Sequence, residues 1–158
     1  MDDVRWLDDE EQRAWRAFVE LHARLFRHVE RVLQAESGLS GPDYEVLVHL
    51  SESSDGELRP TELAEALRWE RSRLSHQLRR MEARGLVERR SCDSDGRGAH
   101  VGLTEDGRQA IVDAAPGHVD ELRRVFVDVL GPDRLRELAG ASVDVVAAVD
   151  RREAELGW

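Results

Sequence analysis

The sequence predicts a mainly α-helical protein with a small β-wing, and three observations support this fold class. Apolar residues recur at three- and four-residue intervals near both ends of the chain. A central segment, residues 59–103, has the pattern of a short helix, a turn, a second helix and two strands. This segment is also the positively charged part of an acidic chain. Together these features predict a winged helix-turn-helix with long N- and C-terminal dimerisation helices.

The first element is a long amphipathic helix. Asp8 and Glu11 have the spacing of a capping pair, and about 28 helical residues at ~1.5 Å each would span roughly 42 Å. The segment from Gly38 to Pro42 ends this helix, and a second helix runs to Leu50. The apolar stripe of the first helix comprises Trp15, Phe18, Val19, His22, Leu25, Phe26, Val29, Val32 and Leu33.

The central segment begins with Pro60, which suits the first position of a short helix. After a turn at residues 68–70, a second helix is predicted over residues 71–84, with one buried stripe formed by Leu74, Leu78 and Met81. Its other faces then carry side chains that can hydrogen-bond to bases or phosphates. These candidate major-groove residues are Arg71, Ser72, Arg73, Ser75, His76 and Arg79.

Gly85 is placed where a left-handed residue usually ends a helix. Residues 86–90 and 99–103 have the composition of two strands, with a polar tip between them. Thr104 is the expected N-cap of the next helix, which Pro116-Gly117 should bend. The sequence Gly131-Pro132-Asp133 ends that helix and starts the last one.

Charge is unevenly distributed. The whole chain carries −10, but residues 59–100 contain 10 arginines against 7 acids and so carry +3, while residues 1–58 carry −8 and residues 101–158 carry −5. With a Debye length of about 8 Å at physiological salt, the distant acids would be largely screened from a phosphate backbone. The distribution therefore favours double-stranded DNA as the partner of the central segment.

The apolar stripes of the terminal helices need a further surface to cover them, and a second copy is the simplest one. A homodimer would place two reading helices in successive major grooves, about 34–36 Å apart, so a palindromic site is expected. The predicted dimerisation region is residues 1–42 and 104–158, and the DNA-binding domain is residues 43–103. The alternative is a self-contained helical bundle.

Several motifs of the chain resemble the multiple antibiotic resistance regulator (MarR) family of bacterial transcription factors. They are Thr61-Glu62-Leu63-Ala64, Ser72-x-x-Ser75, Leu78-x-x-Met81-Glu82-x-x-Gly85-Leu86-Val87, Asp95-Gly96-Arg97-Gly98 and Leu103-Thr104-x-x-Gly107-Arg108. The resemblance implies that the terminal helices form the dimer and that the helix at 71–84 lies in the major groove. It also implies that Arg97 enters the minor groove, oriented by Asp95. Many members carry an acid at the position of Cys92, which is a departure here.

The remaining expectations concern secondary contacts and regulation. Thr61, Arg89 and Arg90 are candidate contacts to the DNA backbone, although one of the two arginines is expected to pair with a wing acid. The resemblance also implies a crevice for a small phenolic or aromatic acid, with Trp15, Arg16, His22 and Tyr44 as candidate lining residues. Ordinary core or surface roles remain open for each of these four.

No cofactor or metal site is expected, because the six histidines form no spaced ligand motif and no catalytic motif is present. No apolar run approaches a membrane span and no signal peptide is apparent, so the protein is expected to be cytoplasmic. The absence of a catalytic motif predicts that it is not an enzyme. Three alternatives stay open: a winged helix that binds protein, a redox sensor at Cys92, and a metal sensor involving His22 or His118.

Overall fold

A computed structural model describes residues 4–91 and 99–157. In these ranges the chain forms six α-helices, three short strands and one π-helical turn. The elements in order are α1 (Asp9–Ser37), α2 (Gly41–Glu52), β1 (Glu57–Leu58), α3 (Pro60–Leu67), α4 (Arg71–Ala83), β2 (Val87–Ser91), β3 (Ala99–Leu103), α5 (Glu105–Leu122), the π-helical turn (Arg123–Val127) and α6 (Asp128–Leu156). The predicted mainly helical fold with a β-wing is confirmed.

The helix boundaries follow local capping signals. The Asp8 side chain accepts hydrogen bonds from the first turn of α1, and Glu11 bonds back to the Asp8 amide, which is the predicted capping box. Gly38 ends α1 with a left-handed φ of 70°. Thr104 caps α5 by accepting a 2.9 Å hydrogen bond from the Gly107 amide, as predicted.

The sheet has three antiparallel strands in the order β1-β3-β2. In the wing hairpin, Val87 pairs with Leu103 and Ser91 pairs with Ala99. The strand β1 was not predicted from the sequence. β1 contributes only Glu57 and Leu58, which pair with the other edge of β3, and two residues are too few for an alternating pattern to indicate a strand.

One hydrophobic core lies among α2, α3, α4, the sheet and the first half of α5. Its fully buried side chains include Val46, Leu47, Leu50, Leu63, Leu74, Leu78, Met81 and Val101. The start of α5 approaches this core closely at Gly107, where an added Cβ would lie 1.8 Å from the Leu86 carbonyl oxygen. Glycine at position 107 is therefore required by the packing of the backbone.

The chain divides into two compact units, Met1–His118 and Val119–Trp158. The second unit contains the end of α5, the π-helical turn and α6. Gly131 interrupts the last helix with φ 70° and ψ 172°, where the sequence predicted a break. No residue of α6 is buried in the described part of the chain. Among the described residues, no helix combines the length and the apolar character that crossing a membrane requires.

Candidate nucleic-acid interface

α3 and α4 form the predicted helix-turn-helix. The turn between them is closed by the Trp69 amide, which donates a 2.9 Å hydrogen bond to the Ala64 carbonyl, and by Arg68 in a left-handed conformation with φ 51°. α4 buries Leu74, Leu78 and Met81, as its spacing predicted. The remaining positions leave an exposed polar face. This face carries Arg71, Ser72, Arg73, His76 and Arg79, with Ser75 half-buried beside them.

Neighbouring side chains hold several of these cations in place. The Arg73 guanidinium carbon lies 4.1 Å from the centre of the Trp69 ring, which is a cation–π contact. Arg79 Nη2 lies 3.0 Å from Nδ1 of His76. Arg80, on the same helix, donates to the Gln77 side-chain oxygen. Contacts within the chain therefore order part of the exposed face of α4.

A polar network that the sequence did not predict connects α4 to α2 through the buried side chains of Gln77 and Asp43. Gln77 Nε2 donates a 2.6 Å hydrogen bond to Oδ1 of Asp43, and Arg84 Nη1 donates a 2.6 Å bond to Oδ2. Arg84 Nη2 also donates to the carbonyl of Gly38, at the end of α1. Arg84 follows the last residue of α4, so one guanidinium links three helices. The sequence signalled only the local part of this network, the capping spacing of Ser40 and Asp43.

The charge of Asp43 is stabilised within this network. Burial opposes its ionisation, but hydrogen bonds from Ser40 and Arg84 outweigh burial and lower the pKa of Asp43 below that of an ordinary aspartate. Asp43 therefore remains an anion that orients the side chains of Gln77 and Arg84. The carboxylate fixes α4 relative to the start of α2.

The three candidate backbone contacts lie on separate elements. Thr61 is exposed in the first turn of α3. Arg89 donates a 2.9 Å hydrogen bond from Nε to Glu82, and Arg90 pairs with Glu88 and Glu57. The sequence predicted that one of these two arginines would pair with an acid, but both of them do. The wing residues Cys92, Asp95 and Arg97 lie outside the described residues.

The candidate pocket residues fall into two groups. Trp15 and His22 join Phe18 and Phe26 in a row of ring contacts along an exposed face of α1, with successive centroids 4.9–6.4 Å apart. Arg16, on the same helix, bonds to Gln12. Tyr44 is half-buried on α2, and among the ring contacts of the described residues it pairs with His118 of α5 at 4.4 Å. Of the four candidate lining residues, the three on α1 (Trp15, Arg16 and His22) are exposed.

Burial disfavours the charged forms of both Tyr44 and His118. Burial raises the pKa of Tyr44 and lowers the pKa of His118, because each charged form would lose its hydration. Nδ1 of His118 is buried and has no hydrogen-bond partner among the described residues. Within the described ranges, no three histidine, cysteine or acidic side chains gather as metal ligands would.

Comparison with known proteins decides the family. A profile described as MarR family matches residues 37–98. The crystal structure of AbsC, a MarR family transcriptional regulator from Streptomyces coelicolor, superposes with a TM-score of 0.88 and 44% identity over 93% of this chain and 99% of that one. The chain belongs to the MarR family. The resemblance inferred from the sequence motifs is thereby confirmed.

Two other relatives extend the comparison of this MarR-family chain. Sco3205 from Streptomyces coelicolor, a MarR family regulator solved in complex with DNA, is 41% identical over 93% of this chain and 91% of that one, with a TM-score of 0.85. The transcriptional repressor MprA from Escherichia coli (strain K12) is 28% identical over 101 residues. The match to MprA spans 57% of its length and 64% of this chain.

Proposed function

We propose that this protein is a homodimeric, sequence-specific DNA-binding regulator of transcription that acts as a repressor. The observation that carries the proposal is the polar face of α4, where Arg71, Arg73 and Arg79 are exposed opposite the buried Leu74, Leu78 and Met81. Arginine suits this role because its planar guanidinium can bond bidentately to O6 and N7 of guanine. The DNA complex of Sco3205 and the repressor name of MprA support the proposal.

In this proposal α4 lies in the major groove, and six of its residues contact bases or phosphates. They are Arg71, Ser72, Arg73, Ser75, His76 and Arg79. Thr61 contacts the backbone, and Arg89 and Arg90 do so only if they exchange their carboxylate partners for phosphate. Arg97, oriented by Asp95, stays a prediction for the minor groove. Residues 43–103 are proposed as the DNA-binding domain.

The dimer is supported by apolar surface that the single chain leaves exposed. Phe18 and Phe26 on α1 are 55% and 63% exposed, and Val145 on α6 is 63% exposed. Covering these side chains on association would remove apolar surface from water, which favours the dimer. Exposed apolar faces of this kind mark interaction surfaces, and twofold symmetry is the commonest way for a protein to cover its own. Residues 1–42 and 104–158 are the proposed dimerisation region.

Substitution on the aromatic face of α1 tests the dimer. Phe18→Glu should convert the protein to a monomer in analytical ultracentrifugation, and it should abolish cooperative binding to a palindrome. Arg27→Glu is the matched control, because position 27 lies on the opposite side of α1 from Phe18 and is exposed, so added negative charge there should leave the dimer intact. A parent protein that sediments as a monomer at micromolar concentration would disprove this part of the proposal.

DNA binding is tested by a mobility-shift titration with the DNA upstream of the protein's own gene. The parent should shift this fragment at moderate salt, and a variant carrying both Arg71→Ala and Arg79→Ala should bind it at least about tenfold more weakly. Arg13→Ala, on the face of α1 opposite its aromatic row, should bind like the parent. Complete absence of a shift would favour a winged helix that binds protein instead.

Regulation by a small aromatic acid stays a prediction of the family resemblance. Changing the ratio of occupied to free operator from 99:1 to 1:99 would require a ligand whose binding free energies for two states of the dimer differ by about 5.5 kcal/mol.

We place the protein in the cytoplasm, where its DNA target would be. The relatives it matches are transcription regulators and not enzymes.

A further inference from the structure

Trp69 is anchored in the turn before α4. Its indole is half-buried and packs against the hydrophobic core, and its amide is bonded to Ala64. Arg73 follows one helical turn later, with its guanidinium carbon 4.1 Å from the centre of the indole ring. An exposed arginine is thus held against a side chain that is packed on the core.

The cations of α4 differ in how they are held. Arg79 directs an N–H group at the ring of His76, and Arg80 donates one to the side-chain oxygen of Gln77. Arg73 takes part in no hydrogen bond or ion pair with any described residue, so its contact with Trp69 leaves its donors available. A guanidinium stacked on a ring uses its flat face and its charge, while its N–H edges remain free to bond.

Arg73 also occupies a favourable position on α4. It is the third residue of the helix, and the N-terminal residues of a reading helix are the ones that reach base edges. Ordering a long side chain on binding costs conformational entropy, and an arginine ordered in advance avoids part of this cost. The base whose acceptors match two parallel arginine donors is guanine, through O6 and N7.

We propose that Trp69 is a positioning residue that holds Arg73 ready to read a guanine in the major groove. This inference rests on the proposed DNA-binding function. The competing explanation is that Trp69 only fills space in the turn and that its contact with Arg73 has no consequence for recognition. The two explanations differ in whether a change at Trp69 acts through Arg73.

The test is a double-mutant cycle measured by fluorescence anisotropy. The probe is the tightest duplex that the parent enriches from random-sequence DNA. Trp69→Leu should weaken binding about two- to fivefold, the range expected for an exposed cation–π contact, and Trp69→Phe should recover most of this loss. In an Arg73→Ala background, Trp69→Leu should produce no further loss. Arg71→Ala leaves the contact between Trp69 and Arg73 intact. In that background, Trp69→Leu should weaken binding by the same factor as in the parent.

A second readout does not depend on how much of each variant is folded. Replacing the contacted guanine by 7-deazaguanine removes the N7 acceptor, and the ratio of affinities for the two probes is measured within one variant. The ratio should be largest for the parent, smaller for Trp69→Leu and close to one for Arg73→Ala. Trp69→Phe should keep a ratio near that of the parent.

Three results would overturn the inference. Trp69→Leu could weaken binding equally with and without Arg73, which would make Trp69 a packing residue only. It could also bind like the parent, or leave the 7-deazaguanine ratio unchanged. If the parent enriches no duplex at all, the proposed function fails and this inference fails with it, before any variant is compared.

Discussion

Gln77 of α4 donates a 2.6 Å hydrogen bond to Asp43 of α2, two residues that are 34 positions apart in the chain. The second carboxylate oxygen of Asp43 accepts from Arg84, which also bonds to the end of α1. Removing either Gln77 or Asp43 would take a hydrogen-bond partner from the other. This loss is costly because both side chains are buried and water cannot replace the missing partner. The position of α4 thus depends on one carboxylate.

Replacement of Asp43 should destabilise the fold and change its response to acid. Asp43→Asn should lower the free energy of unfolding by about 1–3 kcal/mol, since Arg84 loses its anion and Gln77 is paired less well. The pKa of Asp43 is lowered in the folded state, so its stabilisation is complete above about pH 4 and is lost as the pH falls further.

Urea unfolding at several pH values measures both effects. The parent should lose stability more steeply than Asp43→Asn as the pH drops from about 5 to 3. Asp55→Asn, at an exposed position in the turn after α2, should follow the parent. Identical acid profiles for the parent and Asp43→Asn would show that the carboxylate is not stabilised by the fold.

Gly107→Ala should be strongly destabilising. The added methyl group would lie 1.8 Å from the Leu86 carbonyl oxygen, so the start of α5 must move away from β2 and the core. We expect a loss of at least about 2 kcal/mol. Gly140→Ala is the matched control, because a Cβ there meets nothing within 4 Å, and it should leave stability unchanged or raise it by about 0.5–1 kcal/mol. Equal stability of the two variants in thermal unfolding would contradict the backbone contact.

His118→Phe should stabilise the protein near neutral pH and below it. Phenylalanine can keep the ring contact with Tyr44 while removing the unpaired Nδ1, which should add about 1 kcal/mol. The pKa of His118 is lowered in the folded state, so the parent should lose stability as the pH falls below about 6.5. His118→Phe should lose less over the same range, whereas His49→Phe should keep the parent's dependence. A steeper loss in His118→Phe would contradict the burial of a neutral imidazole.

Arg97→Ala tests the minor-groove contact that the family resemblance implies. Loss of a charged hydrogen-bonding contact should weaken DNA binding by about tenfold or more and reduce any preference for AT-rich flanking sequence. Arg97→Lys keeps the charge and should lose less. Equal affinities of Arg97→Ala and the parent in an anisotropy titration would remove Arg97 from the interface.

Local signals explain why much of the fold was predictable. The capping spacing of Asp8 and Glu11, the proline at the start of α3 and the left-handed glycines Gly38 and Gly85 act within a few residues, so the sequence displays them directly. The buried stripe of α4 follows from helical periodicity alone. The polar face that we assign to DNA was predicted for the same reason.

Features that depend on distant residues were not predictable in this way. β1 exists because β3 offers an edge to two residues much earlier in the chain: Glu57 pairs with Gly102, and Leu58 pairs with Val101. Gln77 has no local signal that distinguishes it from an exposed glutamine, and its partner Asp43 is identified only by packing. The contact between Trp69 and Arg73 spans a single helical turn, yet a sequence does not show which face of a ring an arginine covers.

The central claim is that two copies of α4 read double-stranded DNA, and selection of duplexes from a random-sequence library tests it most directly. The account predicts enriched palindromes whose half-sites are centred about one helical turn apart, roughly 10 base pairs, with a guanine in each half-site. The same selection with a variant lacking the arginines at positions 71, 73 and 79 should enrich no such sequence. Recovery of no enriched sequence by the parent, or of single unpaired sites bound by a monomer, would contradict the account.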